Sequence, residues 1–432
     1  MAVRNTILVW FRNNLRLHDN EPWSRACREG DVVLPIFIFD PALFKTHSLG
    51  FPKTGSFRTQ FLIESVSELR HNLQKQSSEL VIRVGTPTEV IKEILTKLSV
   101  AKVYTSAAAT QEENTATEAV ARLLNSYKVE LHSFHTTTLI HPTDLPMPVN
   151  QLPEIFTSFR KQVEANLHVR PLFPLPESNP CPSIYPGELP RLSDFQLEPI
   201  KNDHRSVITY SGGEDAARER QHEYIWKKEL IATYKETRNE LIGRDYSSKF
   251  SPALAHGCIS AKSIYHEVKR FEQERIKNES TYWLIFELLW RDYFHFMALK
   301  HGNKIFKAGG LSNKPIQSKE DPARFEQWRM GITGNDFVDA NMRELLHTGF
   351  MSNRGRQNVA SYLVHDLHLD WRWGAAWFES QLIDYDPCSN WLNWAYVAGV
   401  GNDPRENRYF NTKSQAERYD SEGAYRKLWL GN

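Results

Sequence analysis

The sequence predicts an N-terminal α/β part with a parallel sheet, followed by an all-helical part. In residues 1–135, short apolar runs rich in β-branched residues alternate with stretches of helical periodicity, which is typical of βαβ units with right-handed crossovers. The apolar runs lie at 7–10, 32–39, 80–84, 102–106 and 129–134. The helix-like stretches lie at 56–76, 87–98 and 111–126. From Gly213 to residue 432 the periodicity is helical, and its first long stretch, from Glu214 to Gly243, reads as helix.

A proline-rich segment separates these two parts. Of the 22 prolines in the chain, 12 lie between His141 and Ile200, where periodicity is weak. That composition predicts a long, ordered linker that runs over the surface. We therefore divide the chain into 1–135, a linker at 136–212, and 213–432.

Charge and cysteine content narrow the classes of protein that are compatible with the chain. Lys and Arg total 53 against 52 Asp and Glu, so any contact with nucleic acid must use a local basic patch. The four cysteines are far apart and form no C-x-x-C pair, which argues against a zinc ribbon, an iron–sulfur cluster or a disulfide framework, and for a site without metal. A reducing compartment fits best.

The N-terminal sequence carries no targeting signal that we recognise. It enters a strand pattern by Ile7, and no apolar run approaches the roughly 20 residues that span a bilayer. We expect a soluble, cytoplasmic protein.

The α/β part lacks the glycine-rich turns that bind dinucleotides or phosphates. Neither G-x-G-x-x-G nor G-x-x-x-x-G-K-[ST] occurs, and "FRNNLRLHDN" follows the first strand pattern. A dinucleotide held on such a turn is therefore not expected there. This part then has a structural role, with or without a small ligand.

Four motifs in the helical part carry unusual polar residues. In 244–260, Ser247, Ser248 and Ser251 precede a helix pattern that opens with Pro252, and with Lys249 they suit a phosphate. The alternative is a serine that caps an ordinary helix.

The second motif lies at 281–296. If this run is helical, Glu287, Trp290 and Arg291 share one face. The alternative is a buried Glu–Arg pair beside a core tryptophan.

The third and fourth motifs lie at 349–367 and 379–411. The third has amides and guanidiniums crowded into the first turns of a helix pattern, and in the fourth Asp384, Asp386 and Asn390 precede an aromatic run. Because a buried carboxylate needs a partner, we expect Arg356 to form a bidentate pair with one of these aspartates.

Together these stretches resemble the motifs of the photolyase and cryptochrome flavoprotein family, and within it the cryptochrome DASH branch. The matching stretches span nearly the whole chain and are "WFRNNLRLHDN", "SSKFSP", "ELLWRDYF", "GITGNDFVDANMREL", "GFMSNRGRQNVASYL", "LIDYDPCSNWLNW" and "NDPRENRYFN". The resemblance implies a photolyase-like fold whose helical domain binds FAD.

Carried over position by position, the resemblance implies two sets of FAD-binding residues. Those expected at the phosphates are Tyr234, Ser247, Ser248, Lys249, Phe250 and Ser251. Those expected around the flavin and its sugar chain are Arg291, Asn353, Arg356, Asp384, Asp386 and Asn390. Asn390 would face the flavin with a neutral amide that does not readily donate a proton, which favours repair chemistry over plant-type signalling.

The resemblance also implies a substrate. Glu287 and Trp290 match residues that contact a cyclobutane pyrimidine dimer flipped out of DNA, so that with Asn390 they form the expected catalytic set. Gln357 and Tyr396 stand where enzymes that repair duplex DNA carry methionine and tryptophan. This more polar pair should grip an extruded dimer less well, so single-stranded DNA is the expected substrate.

Electron transfer and light harvesting complete the expected roles. Trp394 and Trp371 match the first two members of the family's tryptophan chain, but Ser318 occupies the third position, and Trp373 with Trp377, or Trp328, could replace it. Their alternative role is core packing.

Relatives in this branch bind methenyltetrahydrofolate as an antenna. Glu113 matches the carboxylate that contacts the pterin, with Glu112 as an alternative ligand. Either could equally be an exposed glutamate at a helix start.

We therefore expect a monomer that repairs pyrimidine dimers by electron transfer from reduced FAD. The alternative is a blue-light receptor that binds DNA or a protein partner. Such receptors usually carry a long C-terminal tail, whereas this sequence stops at "YRKLWLGN".

Overall fold

A five-stranded parallel sheet forms the N-terminal part, as the sequence predicts. The computed structural model describes residues 5–177, 179–314, 316–403 and 408–431, so residues 404–407 of the "NDPRENRYFN" motif lie outside the described residues. The strands are β1 (Thr6–Phe11), β2 (Val32–Phe39), β3 (Val81–Val84), β4 (Lys102–Ser106) and β5 (Glu130–Phe134). They pair in the order β3-β2-β1-β4-β5, with Leu8 opposite Leu34 and Val103. β1 and β2 are buried along their whole length because both faces of the sheet are covered.

Among the residues that the structure describes, five α-helices precede the helical part. They are α1 (Glu21–Glu29), α2 (Ser56–Lys75), α3 (Pro87–Lys97), α4 (Gln111–Ser126) and α5 (Phe156–Glu164). The sequence predicted α2, α3 and α4 to within a residue at each end but missed α1 and α5. α5 lies inside the proline-rich segment and buries Phe156, Phe159 and Val163, a helical spacing that the surrounding prolines obscured.

The helical part has twelve α-helices among the described residues. They are α6 (Glu214–His222), α7 (Tyr234–Thr237), α8 (Ser251–His256), α9 (Ala261–Glu274), α10 (Glu279–His301), α11 (Pro322–Arg329), α12 (Asp336–Thr348), α13 (Asn353–Ser361), α14 (Trp371–Gln381), α15 (Pro387–Val397), α16 (Thr412–Tyr419) and α17 (Ala424–Leu430). Throughout the described chain, no helix combines the length and apolar character needed to cross a membrane.

The helical stretch that begins after Gly213 is not one continuous helix. A π-helical turn at Glu223–Lys227 follows α6, and a 3-10 turn at Leu230–Thr233 comes before α7. Between the two turns, Glu229 adopts a left-handed backbone conformation with φ of 51°, which no continuous helix accommodates. The helical spacing of apolar residues continues across this break, so the sequence pattern did not reveal it.

The sheet is buried between two apolar layers. On one face, Leu8 and Trp10 pack with Val90 of α3 and Val120 of α4. On the other face, Val9 belongs to a larger core that also contains Leu288 of α10. The α/β part and the helical part therefore share one continuous hydrophobic core.

Buried polar contacts fix the segment after β5 against α10. The carboxylate of Asp292 accepts hydrogen bonds from the backbone N–H groups of Leu139 (2.9 Å) and Ile140 (2.8 Å). Arg291 donates to the carbonyl of Thr137 at 2.5 Å. Burial raises the pKa of Asp292 to about 7, although the two N–H groups act in the opposite direction.

We predict that Asp292→Ala lowers the free energy of unfolding by about 2–4 kcal/mol, because it leaves two buried backbone N–H groups without acceptors. Urea denaturation at pH 6 measures the change. Asp292→Asn keeps one acceptor oxygen and should lose about half as much. A loss below about 0.5 kcal/mol in the alanine variant would show that water replaces the carboxylate.

Candidate functional site

One buried arginine binds the backbone of the loop at residues 244–250, before α8, which we call the serine-rich loop. Arg220 of α6 donates to the backbone carbonyls of Ser248 (3.1 Å) and Ser247 (3.2 Å) and to the carboxylate of Asp245 (3.1 Å). No serine caps α8: its N-cap residue is Phe250, which makes no side-chain cap. The alternative that these serines merely cap a helix is therefore wrong.

Lys249, in the middle of this loop, is buried without a hydrogen-bond partner. Its backbone is left-handed, with φ of 59°, and its side chain is buried. The Nζ atom lies 3.3 Å from the centre of the Tyr246 ring and 4.7 Å from that of Phe350. Burial holds the pKa of Lys249 well below its usual value. Cation–π contacts stabilise this ammonium, but they leave its hydrogen-bonding capacity unused.

Arg356 pairs with Asp384, as expected, but not in bidentate geometry. Its Nη2 donates to Asp384 Oδ2 at 2.8 Å, while its Nε donates to the carbonyl of Met351 at 2.9 Å. Because Nε is bonded to the backbone just before α13, a single hydrogen bond joins Arg356 to the carboxylate. The buried Asp384 Oδ1 has no partner.

Five buried polar atoms, one of them Lys249 Nζ, have no hydrogen-bond partner among the residues that the structure describes, and we call the region that they occupy the polar chamber. They are Tyr210 OH, Tyr246 OH, Lys249 Nζ, Glu344 Oε1 and Asp384 Oδ1. The Phe350 ring is approached by Lys249 Nζ at 4.7 Å, by the Tyr210 ring at 5.4 Å and by the Arg356 guanidinium at 5.6 Å, and Arg356 in turn bonds Asp384. Glu344 and Lys249 act electrostatically on each other. Native interiors rarely leave such groups unsatisfied, so the chamber suits a polar ligand.

Sequence reasoning missed Tyr210, Tyr246 and Glu344 in this chamber. Glu344 follows Phe337 and Asn341 at helical spacing on the buried stripe of α12, and a charged residue on such a stripe is the signal that could have identified it. Tyr210 lies in the segment before α6, where no periodicity singles it out.

The remaining residues predicted for the cofactor lie in several places. Tyr234 is buried at the start of α7, whereas Asn353 is exposed at the start of α13 and Ser251 at the start of α8. Asp386 caps α15 by accepting from the N–H of Ser389 at 2.7 Å. The amide of Asn390 donates to the carbonyl of Ala375 at 3.0 Å, and this contact fixes its orientation.

Glu287, Trp290 and Arg291 of α10 do share a side of the helix, but Glu287 pairs with another arginine. Arg238 donates to Glu287 Oε1 at 2.6 Å, while Arg291 donates to the carbonyls of Thr137 and Leu254. The alternative of an internal Glu287–Arg291 pair is therefore wrong.

The Trp290 ring stacks on Phe156 of α5, with centroids 3.6 Å apart, and meets Tyr396 edge-on at 6.1 Å. Tyr396 also accepts a hydrogen bond from Arg408 at 3.2 Å. Gln357 accepts from Arg354 at 2.9 Å. Each residue predicted to contact substrate therefore has a neighbour that sets its orientation.

The tryptophans predicted for electron transfer are buried around α14 and α15. Gly374 allows the Trp394 ring to lie against α14, because a Cβ there would meet the ring at 2.2 Å, and Trp371 begins the same helical turn. Trp371 approaches Trp391 with centroids 5.8 Å apart, and Trp394 approaches Trp328 at 6.1 Å. Ser318 is exposed.

Glu113 and Glu112 differ in their surroundings at the start of α4. Glu113 is half-buried and accepts from Asn13 (3.0 Å) and Thr110 (2.8 Å). Glu112 is exposed and pairs with Lys53. The description of an exposed glutamate at a helix start therefore applies to Glu112 but not to Glu113.

Comparison with known proteins assigns the family. Residues 7–180 match the family described as DNA photolyase, and residues 283–432 match the FAD binding domain of DNA photolyase. The chain is 51% identical over 426 residues to Cryptochrome DASH of Gloeobacter violaceus, covering 98% of this chain and 85% of that protein. It is 49% identical to Cryptochrome DASH of Xenopus laevis, covering 98% of this chain and 82% of that protein.

Solved structures give the same result. The Synechocystis cryptochrome matches with a TM-score of 0.96 and 50% identity over 100% of this chain and 89% of the other. A bacterial class III photolyase from Agrobacterium tumefaciens matches with a TM-score of 0.86 and 28% identity over 99% of this chain and 86% of the other. The fold and site thus define a photolyase-like flavoprotein. The chain belongs to the photolyase and cryptochrome family, in its cryptochrome DASH branch.

We predict that Arg220→Gln loosens the serine-rich loop, because its backbone carbonyls lose their common donor. Amide hydrogen exchange of residues 244–248 should become faster by about tenfold, the equivalent of roughly 1.4 kcal/mol of local stability. Arg218→Gln, at an exposed position of the same helix, is the matched control. Unchanged exchange in the Arg220 variant would mean that the loop is held by its own turns.

Proposed function

We propose that this protein uses blue light to split cyclobutane pyrimidine dimers, preferentially in single-stranded DNA. The observation that carries the proposal is the partly exposed pair formed by Glu287 and Trp290, one turn apart on α10. Arg291, the next residue, belongs to the predicted flavin surroundings, so one helix would join substrate and cofactor. The four free cysteines support a reducing, cytoplasmic setting.

FAD is the cofactor that the helical domain's family implies, and the polar chamber fits it. Lys249 and the loop from Ser247 to Ser251, with Tyr234 nearby, would hold the phosphates. Unsatisfied Asp384 Oδ1 would accept a hydrogen bond from the flavin side, with Arg356 balancing its charge. The surroundings of the flavin and its sugar chain would be completed by Asn390, Asp386, Arg291 and Asn353.

When bound, reduced FAD would supply a light-driven source of one electron. The reaction needs no net redox change, because the electron returns after the two bonds between the bases have broken. The protein must bring the dimer within reach and stabilise the negative charge that it carries for a time. Burial raises the pKa of Glu287 in spite of Arg238, so this carboxyl is protonated more readily than an exposed glutamate. It can then donate a hydrogen bond to a base carbonyl oxygen on which charge develops.

The aromatic side of the proposed site favours single strands. Removing a dimer from the base stack costs roughly a few kcal/mol, and least where the strand is unpaired. Stacking on a ring such as Trp290 returns about 1–3 kcal/mol per base. Gln357 and Tyr396 are tied to Arg354 and Arg408, so they offer less apolar surface to an extruded dimer than methionine and tryptophan would.

Two further roles belong to this proposal. Trp394 and Trp371 would carry electrons to the cofactor, and the closeness of Trp391 to Trp371 supports an exit through Trp391, which is only half-buried. Methenyltetrahydrofolate would be the antenna, with Glu113 as the carboxylate that contacts the pterin. Its half-buried position and its two donors support Glu113 over Glu112 for this role.

We predict light-dependent repair of a thymine dimer in a single-stranded oligonucleotide and much slower repair in the matched duplex. Glu287→Ala should lower the repair yield per absorbed photon about tenfold to a hundredfold, because a hydrogen bond to a charged group is lost. Glu279→Ala, at an exposed position of the same helix, is the control with equal FAD loading.

Three outcomes separate the alternatives. Equal repair of both substrates would contradict the strand preference. An unaffected Glu287 variant would remove that residue from the site. No repair of either substrate by protein with bound, photoreducible FAD would favour the photoreceptor alternative.

We predict that Trp391→Phe slows light-driven reduction of bound FAD, with a thiol as the final electron source, by at least about tenfold, because the hop from Trp371 to the surface is lost. Trp373→Phe and Trp377→Phe should leave the rate unchanged: Trp373 packs against Phe325, and Trp377 against Phe51. Transient absorption of the tryptophan radicals measures each step. If only the Trp373 or the Trp377 variant is slower, electrons pass through these two tryptophans, the alternative route that the sequence allowed.

A further inference from the structure

Glu344 presents an unsatisfied carboxyl oxygen to the polar chamber. It is fully buried on α12, and its Oε2 accepts from the Tyr425 hydroxyl at 2.6 Å, while Oε1 has no partner. Lys249 Nζ is equally unsatisfied across the chamber. Over the described part of the chain, neither Glu344 nor Lys249 forms an ion pair, so the two side chains are not paired with each other.

Several elements place charged or titratable groups around Glu344. These groups are Tyr425 of α17, Lys249 and Tyr246 of the serine-rich loop, Arg356 of α13, and Tyr210 before α6, with Asp384 acting on Lys249 and Tyr210. With the three tyrosines neutral and the carboxyl and basic groups ionised, Lys249 and Arg356 balance Glu344 and Asp384. A ligand that brings negative charge disturbs this balance, and the loss of charge at Glu344 restores it.

We propose that FAD binding is linked to proton uptake by Glu344: the anionic phosphates are held in the chamber when this carboxyl is neutral and are opposed when it is ionised. The inference rests on the proposed function in one respect, namely that the phosphates lie beside Lys249. Glu344 is then a positioning residue that acts through the field of the chamber.

The sign of the effect follows from two pKa values. Burial raises the pKa of Glu344 to about 7 in the protein alone, while Tyr425, Lys249 and Arg356 pull it down. A nearby phosphate raises it further. Above pH 7, binding therefore takes up a proton, and the dissociation constant should rise by up to about tenfold per pH unit until the pKa of the complex is reached. Lys249 gains protons with the same sign, so a substitution must separate the two groups.

Equilibrium dialysis of the FAD-loaded protein between pH 6 and 9, with released flavin measured by fluorescence, tests the inference. In the unsubstituted protein we expect the retention of FAD, measured as its binding constant, to fall at least tenfold from pH 7 to pH 9. Glu344→Gln is neutral and keeps an acceptor for Tyr425, so FAD retention by this variant should fall much less over that range than in the unsubstituted protein, and any remaining slope belongs to Lys249. Glu417→Gln, at an exposed position on α16, should keep the original slope.

A second variant and a direct proton measurement complete the test. Tyr425→Phe removes the hydrogen bond that favours the ionised carboxylate, so the fall in retention should move to higher pH. Calorimetry of FAD rebinding at pH 8 in two buffers of different ionisation enthalpy should show proton uptake, and this does not depend on any variant folding.

The outcomes are distinct. Absence of proton uptake at pH 8, or a Glu344→Gln protein with an unchanged slope, would overturn the inference and assign any titration to Lys249. A protein that binds no FAD at any pH would instead overturn the proposed function.

Discussion

The candidate site depends on a cluster of buried charged and phenolic groups whose hydrogen-bonding capacity the described chain does not satisfy by itself. Each unpartnered polar atom in the polar chamber costs about 1–3 kcal/mol, and five converge there. Contacts outside the chamber help folding to tolerate this cost, such as those of Arg220 with the backbone of the serine-rich loop. A ligand that supplies donors, acceptors and negative charge removes the cost, so cofactor binding and stability are linked.

This constraint explains why Arg356 makes only one bond to Asp384. A bidentate pair would satisfy both carboxylate oxygens and close that side of the chamber. The Nε of Arg356 is instead held by Met351, which leaves Asp384 Oδ1 facing inward. Asp384 therefore lacks a second internal hydrogen bond, and its Oδ1 remains available as an acceptor beside the cation of Arg356.

Periodicity and motif resemblance predicted the parts of the fold that depend on local sequence. All five strands and helices α2 to α4 were predicted because a parallel sheet and its crossovers impose strong, regular patterns. The breaks after α6 were not, since a left-handed residue at Glu229 leaves the hydrophobic spacing intact. α5 was missed because its apolar residues Phe156, Phe159 and Val163 are surrounded by proline.

The candidate site shows the same division. The pairing of Arg356 with one of the aspartates of the fourth motif could be predicted from chemistry alone, because a buried carboxylate needs a cation. The pairing of Glu287 with Arg238 could not be predicted, because 49 residues separate them and their meeting depends on how α7 packs on α10. Glu344 could have been noticed as a charged residue on a buried stripe, but its proximity to Lys249 depends on the tertiary fold.

Helix α10 then connects the two halves of the proposed chemistry by its rotation of about 100° per residue. Trp290, Arg291 and Asp292 follow one another, yet they contact α5, a carbonyl after β5, and two backbone N–H groups, respectively. The buried bonds of Asp292 fix the rotation of the helix, and this fixes the direction in which Trp290 and Glu287 point. A slip of one residue would turn both away from an incoming base, so the anchor on the buried side determines the geometry on the substrate side.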